Sequence, residues 1–363
     1  MSYLLCIETA NPKYCHQQTD FANFYCKSIT NNENLQRKIK IITKKSAIKE
    51  RYSVINDFSE QPKNFTFFEK NQSLEPNPGL NKRMDLYKKE ALNLSLEAVK
   101  NIKGFNDLKT KITHIITVTC TGLFAPGLDI ALVSALNLKP NTTRTSINFM
   151  GCNAAVLALK QANQICAGEK DACVLIVCTE LCTIHFQKNY SDDYILSNAL
   201  FGDGAAAAIV SSKKITVDKK YVPIHIKSFE SLIINEGVNE MAWQVAETGF
   251  IMNLTSYVSP LIKKHLPQLL SVFKKSKNKI SHWAIHPGGK RILDDFSNLL
   301  ALNQTQLIES YQTLENYGNM SSPTILFVLK ELLEKRKIKK QEIICALAFG
   351  PGLSIESVLL EHV

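Results

Sequence analysis

Three residues stand where a chain can most easily do chemistry. Cys152 follows the segment Ser146-Ile-Asn-Phe-Met-Gly151 and opens the Ala- and Leu-rich stretch Asn153-Ala-Ala-Val-Leu-Ala-Leu-Lys160. A thiol at a helix N-terminus feels the positive end of the macrodipole, which favours its thiolate. Gly151 would relieve crowding at a sharp strand-to-helix turn. A buried structural cysteine fits the same pattern, so both readings stand at this point. His286 ends a short β-branched and aromatic run and precedes Pro287-Gly288-Gly289. That spacing places an imidazole at the end of a sheet strand, where α/β sites form; a satisfied core histidine is the alternative. Asn319, in Tyr317-Gly-Asn-Met-Ser-Ser-Pro323, reads as a helix N-cap or as a side-chain donor that completes an oxyanion hole beside His286.

Other chemistries are less well served. His282 and His286 have the HxxxH spacing of a helical metal site, but Trp283, Ile285 and Pro287 argue for strand and loop, so no metal is expected. The glycine-rich stretches Leu200-Phe-Gly-Asp-Gly-Ala205 and Phe349-Gly-Pro-Gly-Leu353 fit neither GxGxxG nor GxxxxGK[ST]. They read as tight turns that let backbone approach a ligand. There are ten cysteines and no CxxC pair. The opening Met-Ser-Tyr-Leu-Leu-Cys-Ile-Glu lacks a basic leader, so reduced thiols and a cytoplasmic location are expected.

The elements that must position these residues follow from hydrophobic periodicity. Helical spacing runs over Asp85–Ile102, Gly127–Leu138, Asn153–Ala167, Pro260–Lys274 and Ser321–Lys335. Strands are expected at Ile112–Thr119, Thr145–Met150, Ala172–Thr179, Ala205–Val210, Ile224–Ser228, Trp283–Ile285 and, last, Glu342–Ala348. Residues 1–80 read as a first strand, helices and a long connection with a turn at Pro76-Asn-Pro-Gly79. Alternating strands and helices predict an α/β protein with mostly parallel sheets. Small-residue turns before apolar helices at Gly151-Cys152 and Gly318-Asn319 hint at two related halves, 1–220 and 221–363.

The chain has 363 residues, 45% hydrophobic and 21% charged, enough for two fused half-domains around large cores. No apolar run approaches 18 residues, so no membrane span is expected. Lys plus Arg is 43 against 33 Asp plus Glu, a net charge of +10. The basic residues are scattered in short pairs, such as Lys44-Lys45, Lys263-Lys264 and Lys274-Lys275, without a nucleic-acid signature. A solvated basic surface or an anionic ligand such as coenzyme A accounts for them, and nucleic acid is not an expected partner.

Taken together, these segments resemble the type III polyketide synthases, the chalcone synthase-like family of the thiolase fold. The resemblance runs through Cys120-Thr-Gly…Ala125-Pro-Gly127, Gly151-Cys-Asn-Ala-Ala155, Leu200-Phe-Gly-Asp-Gly-Ala-Ala-Ala207, Trp283-Ala-Ile-His-Pro-Gly-Gly289, Tyr317-Gly-Asn-Met-Ser-Ser322 and Phe349-Gly-Pro-Gly-Leu353. Six motifs in order carry it across most of the chain from about residue 40. It implies a thiolase-like fold of two similar halves in an αβαβα layered arrangement. It also implies decarboxylative condensation of malonyl-CoA onto an acyl-CoA starter, then cyclisation to a pyrone, resorcinol or phloroglucinol-type product. No bound cofactor or metal is implied, only coenzyme A thioesters as substrates, in a homodimer. Cys152 would carry the acyl chain, His286 would pair with it and keep a thiolate ready, and His286 with Asn319 would hold the malonyl thioester carbonyl.

The resemblance also assigns a cavity. Phe201 matches a gatekeeper aromatic, and Met252 stands where plant members have a second one. Cys120, Thr121, Cys182, His185, Trp243 and Ser321 should line or border the space. His185 is unusual for a plant-type wall and either steers cyclisation or fills room. Lys45, Lys49 and Arg291, with Lys290, match a basic mouth for the coenzyme A phosphates. Ala125-Pro126 matches a segment that touches the partner subunit and carries a cis proline. The stretch Met241-Ala-Trp-Gln-Val…Thr248-Gly-Phe250 looks bacterial, which makes a fatty acyl starter the first expectation and a malonyl-derived one the second. Alternatives are a ketoacyl-carrier-protein synthase III-like enzyme and an HMG-CoA synthase-like enzyme, which would need a catalytic acid near Cys152. A non-catalytic thiolase-fold scaffold is the remaining one.

Overall fold

A computed structural model describes residues 1–29, 32–255, 258–272 and 280–363. The strands are β1 (Ser2–Ala10), β2 (Tyr14–Gln17), β3 (Glu50–Ser53), β4 (His114–Thr119), β5 (Thr143–Asn148), β6 (Cys173–Leu181) and β7 (Asp203–Ser211). They continue as β8 (Ile224–Ile233), β9 (Met241–Ala246), β10 (Gly249–Leu254), β11 (Ile280–Ile285), β12 (Ile343–Gly350) and β13 (Ser354–His362). The helices are α1 (Gln18–Lys27), α2 (Glu33–Lys45), α3 (Leu80–Lys100), α4 (Phe105–Leu108), α5 (Leu128–Ala135) and α6 (Ala154–Gly168). After them come α7 (Asp192–Leu200), α8 (Val258–Val272), α9 (Lys290–Leu299), α10 (Ile308–Tyr317) and α11 (Thr324–Lys335).

Nine strands form one sheet in the order β11-β12-β13-β8-β1-β7-β6-β4-β5. Its two wings join through a short pairing of Ser2–Leu4 with Ile224–Ile226. Alternation along each strand sends side chains to opposite faces, so each wing feeds two cores. On one wing, Leu175, Val177 and Ala207 pack outward against Tyr87, Ala91 and Leu94 of α3. The residues between them, Ile176 and Ala208, face inward with Ile344, Ala346 and Val358 of the other wing. Helices α6 and α11 fill that middle layer, each packed against strands of both wings. Ala154, Ala155, Ala158 and Ala162 of α6 are fully buried. Their short side chains let the helix lie close between the wings. Helices α9 and α10 cover the far face through Leu293, Phe296 and Leu314 against Trp283, Ile285 and Leu347. The sequence of layers is αβαβα, as the resemblance implied.

The expectation of mostly parallel strands is corrected. Only β4–β5, β4–β6 and β11–β12 are parallel within the large sheet. β1, β7, β8 and β13 meet their neighbours antiparallel. Helical crossovers do give parallel pairs, but β12 turns straight into β13 through the short turn Pro351–Leu353, which can only make an antiparallel return. Glu342–Ala348 is therefore not the last strand. β13 carries Glu356 and Glu361 in its apolar run, which hid it from a hydrophobicity reading. The helix expected at Pro260–Lys274 begins at Val258; its end and the Lys274-Lys275 pair lie outside the described residues. The helix expected at Asp85 begins instead at Leu80, with Gly79 at its N-cap.

Candidate active site

The turn that carries Cys152 is built by two residues in left-handed conformation. Phe149 has φ 59° and Gly151 φ 79°, which reverses the chain between β5 and α6 within a few residues. Cys152 then lies in a single 3-10 turn, Gly151–Asn153, that leads into α6. Gly151 is irreplaceable on two counts. A Cβ there would sit 2.0 Å from Cδ of Pro351, besides the strained φ. The Phe349–Leu353 motif thus closes directly on the Cys152 turn, and Asn153 Nδ2 fastens it by donating to Ser354 Oγ at 2.8 Å. From the other side the Gly151 N–H donates to Cys120 Sγ at 3.0 Å.

His286 directly follows β11, and its N–H donates to the Leu347 carbonyl of β12 at 2.8 Å. The residue is buried, and neither ring nitrogen has a hydrogen-bond partner among the described residues. Asn319 follows Gly318, whose φ of 70° turns the chain out of α10. Its N–H donates to the Leu200 carbonyl at 2.9 Å, and its carbonyl accepts from Gly202 at 2.9 Å. That strap fixes Asn319 against Phe201. The Asn319 Oδ1 accepts from the Ser321 N–H at 2.8 Å, which leaves the amide NH2 as the donor to present. The Cys152 Sγ lies 3.8 Å from the same Oδ1.

Cys152, His286 and Asn319 line one pocket of about 320 Å³ together with Phe201, Met252, Lys45 and Arg291. Its remaining wall is mainly apolar, from Leu196, Leu254, Val258 and Phe349. Lys290 lines it too and pairs with Asp294 at 2.5 Å. Lys49 is exposed and does not line this pocket, so the expected basic cluster is divided.

Burial governs the charges. It pushes the Cys152 thiol up to about 11, with the Ser321 side chain pulling down and Glu180 pushing up. It pushes His286 down to about 3. The thiolate expected from the helix N-terminus is therefore outweighed by desolvation, and each group alone is neutral at pH 7.

The other expected cavity residues divide between two roles. Cys120 and Thr121 form the segment behind the Cys152 turn, and both are buried. Ser321 stands beside the thiol, as its effect on Cys152 records. Cys182, His185 and Trp243 line a second, inner chamber that shares Phe201 and Met252 with the first. Ala125–Pro126 is a cis peptide, as the resemblance implied. His282 donates its Nε2 to Glu342 at 3.0 Å, away from His286's pocket.

The sequence reading missed Glu180. This carboxylate is fully buried in the otherwise apolar β6. It accepts from Ser322 Oγ at 2.6 Å, Cys120 N at 2.8 Å, Thr121 Oγ1 at 2.8 Å and Thr119 Oγ1 at 3.3 Å. Burial nevertheless raises it to about 7. A lone acid at the end of a wholly buried strand was the available signal. Arg51 was also missed; it is fully buried, and its Nη1 donates to the carbonyls of Asn198 at 2.9 Å and Phe201 at 2.5 Å, holding the Phe201 backbone.

Comparison with known proteins gives consistent findings. Residues 1–214 match the model of the chalcone and stilbene synthases, N-terminal domain, and residues 225–363 match the C-terminal domain. The C-terminal type III polyketide synthase domain of Steely1, a type I/III hybrid from Dictyostelium, is 26% identical. It superposes over 100% of this chain and 99% of that one with a TM-score of 0.89. PKS-I from the brown alga Ectocarpus siliculosus is 25% identical over 100% and 99%, with a TM-score of 0.90.

Proposed function

The chain belongs to the chalcone and stilbene synthase family, and on that premise we propose that Cys152, His286 and Asn319 carry out its condensation. As a type III polyketide synthase the enzyme joins an acyl-CoA starter to malonyl-CoA. The observation that carries the assignment is the meeting of three distant segments in one buried apolar pocket, with both His286 ring nitrogens left for a ligand.

The chemistry follows from the neutral pair. His286 takes the Sγ proton as Cys152 attacks the starter carbonyl, and the coenzyme A thiolate leaves with a proton. Malonyl-CoA then enters the vacated pocket. Its C–CO2 bond breaks, and the electron pair moves into an enolate. The His286 N–H and the Asn319 NH2 donate to the enolate oxygen. The enolate carbon attacks the Cys152 thioester, a C–C bond forms, and the Cys152 thiolate leaves and takes a proton from solvent, its first proton having left with coenzyme A. Apolar walls exclude water that would quench the enolate.

Residues 1–220 and 221–363 are read as two thiolase-like halves, one bringing the thiol and the other the imidazole and amide. The family models, which meet between residues 214 and 225, support that division. A homodimer belongs to the same reading. Among the described residues strand β5 is the edge of the large sheet, Met150 just beyond it is exposed, and so is Ile130 on the adjoining α5. All ten cysteines are unbridged, which supports a cytoplasmic location, and no described helix is long and apolar enough to cross a membrane. A starter shorter than the fatty acyl group is favoured by the small pocket, which the acyl thioester and the malonyl-CoA arm must share. Lys45 and Arg291 at that pocket support a role in holding coenzyme A phosphates.

The test is intact-protein mass spectrometry after incubation with malonyl-CoA and a panel of acyl-CoA starters. A starter-dependent adduct on wild type, absent in Cys152→Ala, is expected. Wild type without any adduct would overturn the assignment.

A further inference from the structure

We propose that the hollow where the two wings of the sheet part is a second binding site, for a small amphipathic anion, separate from the catalytic pocket.

β1 pairs with β8 only over Ser2–Leu4. Beyond Leu4 the strands separate, and Leu5, Cys6 and Ile7 become part of a pocket of about 340 Å³. That volume is within the range of small-ligand sites, about 300–1,000 Å³. The other walls come from the approach to β8 at residues 220–224 and from the last turns of α11 with the residues just after it. None of the lining residues lines the catalytic pocket. Asn319 lies just before α11 and the hollow at its far end, so the helix's 12 residues, at about 1.5 Å each, set the two about 18 Å apart.

The charges in the hollow close into a ring. Lys220 Nζ lies 2.6 Å from Glu8 and 2.9 Å from Glu334. Lys330 Nζ lies 2.9 Å from Glu334 and 3.7 Å from Glu8. The Tyr221 hydroxyl also donates to Glu8, at 2.7 Å. Two cations and two anions cancel, and together they tie β1 to α11 across the two halves of the chain. Arg336 is taken as well, by both oxygens of Glu309 at 2.6 Å. Lys337 is exposed and has no acidic partner among the described residues. Of the cations that line the hollow, it is the one left to meet an external anion.

The remaining walls are apolar. Leu5, Ile7 and Ile224 are buried, Leu333 and Ile338 are half-buried, and Val222 is 52% exposed. The His362 Nδ1–H donates to the Ile338 carbonyl at 2.7 Å, which pins that wall. A carbon chain can lie against these side chains while its charged end meets Lys337 in water, so burial favours the chain and little desolvation opposes the charge. A polyanion is not suited, because the ring offers no uncompensated positive charge. An aliphatic carboxylate and an ionised hydroxypyrone share the chemistry that fits.

The test titrates octanoate, hexanoate, uncharged octanamide and 4-hydroxy-6-pentyl-2-pyrone calorimetrically into wild type, Cys152→Ala, Lys337→Glu and Val222→Trp, with coenzyme A saturating the catalytic pocket. One octanoate per chain should bind to wild type and to Cys152→Ala. Hexanoate should bind about 15-fold more weakly, at about fourfold per methylene. Lys337→Glu should weaken octanoate about fivefold at low salt and less at high salt. Octanamide should bind to wild type about fivefold more weakly than octanoate. Val222→Trp, which lays an indole over the exposed part of the hollow, should weaken all ligands at least about tenfold with an unchanged Tm. Tighter binding of the pyrone than of octanoate would assign the site to ring products, and the reverse to fatty acids. No octanoate bound beside coenzyme A would overturn the site, as would octanamide binding equally well or both surface variants binding as wild type does. Acylation of Cys152, read by mass spectrometry on the same samples, is a separate outcome: octanoate binding without acylation would overturn the assignment of Cys152 alone, and acylation without octanoate binding would overturn this site alone.

Discussion

Glu180→Gln isolates the energetic consequence of a buried carboxyl beside the nucleophile. Folding raises this group from 4.5 to about 7 because burial disfavours its anion. The sign follows directly: the folded state holds the proton more tightly than the unfolded one. The group's favourable contribution is complete below pH 4.5 and is lost as pH rises through about 7. At about 1.4 kcal/mol per pH unit, that rise amounts to about 3 kcal/mol. The chain's 363 residues, at about 2.1 cal/mol/K each, give an unfolding entropy of about 0.8 kcal/mol/K. The expected effect is therefore about 4 °C. Glutamine keeps the shape, and its carbonyl can still accept from Cys120, Thr121 and Thr119 on the Oε2 side, while Ser322 Oγ can turn to accept from the NH2. Thermal melts of both proteins from pH 4.5 to 8 provide the assay. The Tm of Glu180→Gln minus that of wild type should climb by about 4 °C across the range. Other groups, such as the buried Asp203, titrate in both proteins and cancel. Parallel curves would refute the reasoning, because they would show Glu180 ionised in the fold at no cost. Above about pH 7, where Glu180 is ionised, the same variant removes a negative neighbour from Cys152, so iodoacetamide should alkylate that thiol faster there.

In the free wild-type enzyme, alkylation of Cys152 should keep rising with pH toward about 11, since burial holds the thiol protonated; a plateau below pH 7 would mean a preformed ion pair with His286. Replacing His286 or Asn319 with Ala should lower malonyl-CoA decarboxylation by about 10²–10³-fold each, measured as CO2 release; Asn319→Ala should still acylate Cys152, whereas His286→Ala should also acylate it more slowly, having lost the group that takes the thiol proton. Gly151→Ala forces a Cβ to 2.0 Å from Pro351 at a φ of 79°. It should destabilise by at least about 2 kcal/mol in denaturant melts. Lys45→Glu and Arg291→Glu at the pocket mouth should raise the KM for malonyl-CoA about tenfold at low salt and less at high salt, whereas Lys49→Glu, outside that pocket, should change it less than about twofold.

The candidate residues were legible because each sits at a punctuated boundary. Gly151 before Cys152, Pro-Gly-Gly after His286 and Gly318 before Asn319 mark chain reversals that backbone sterics write into residue type. The α/β class was legible for a related reason: buried strands such as Cys173–Leu181 and Ala-rich α6 betray their surroundings through composition, whereas the αβαβα layering came with the family resemblance. Strand direction was not, because a hairpin such as β12–β13 and a crossover differ in the return path rather than in periodicity. Protonation was not legible either. The helix N-terminus at Cys152 is a local feature that favours a thiolate, while the desolvation that outweighs it comes from the burial of Cys152 in the folded chain. That both His185 ring nitrogens are engaged depended on two backbone partners, the Thr121 carbonyl and the Phe250 N–H, that lie far from it in the chain. Sequence determined which residue types stand at which turns; only the packing of remote segments decided their charge, their neighbours and the room left between them.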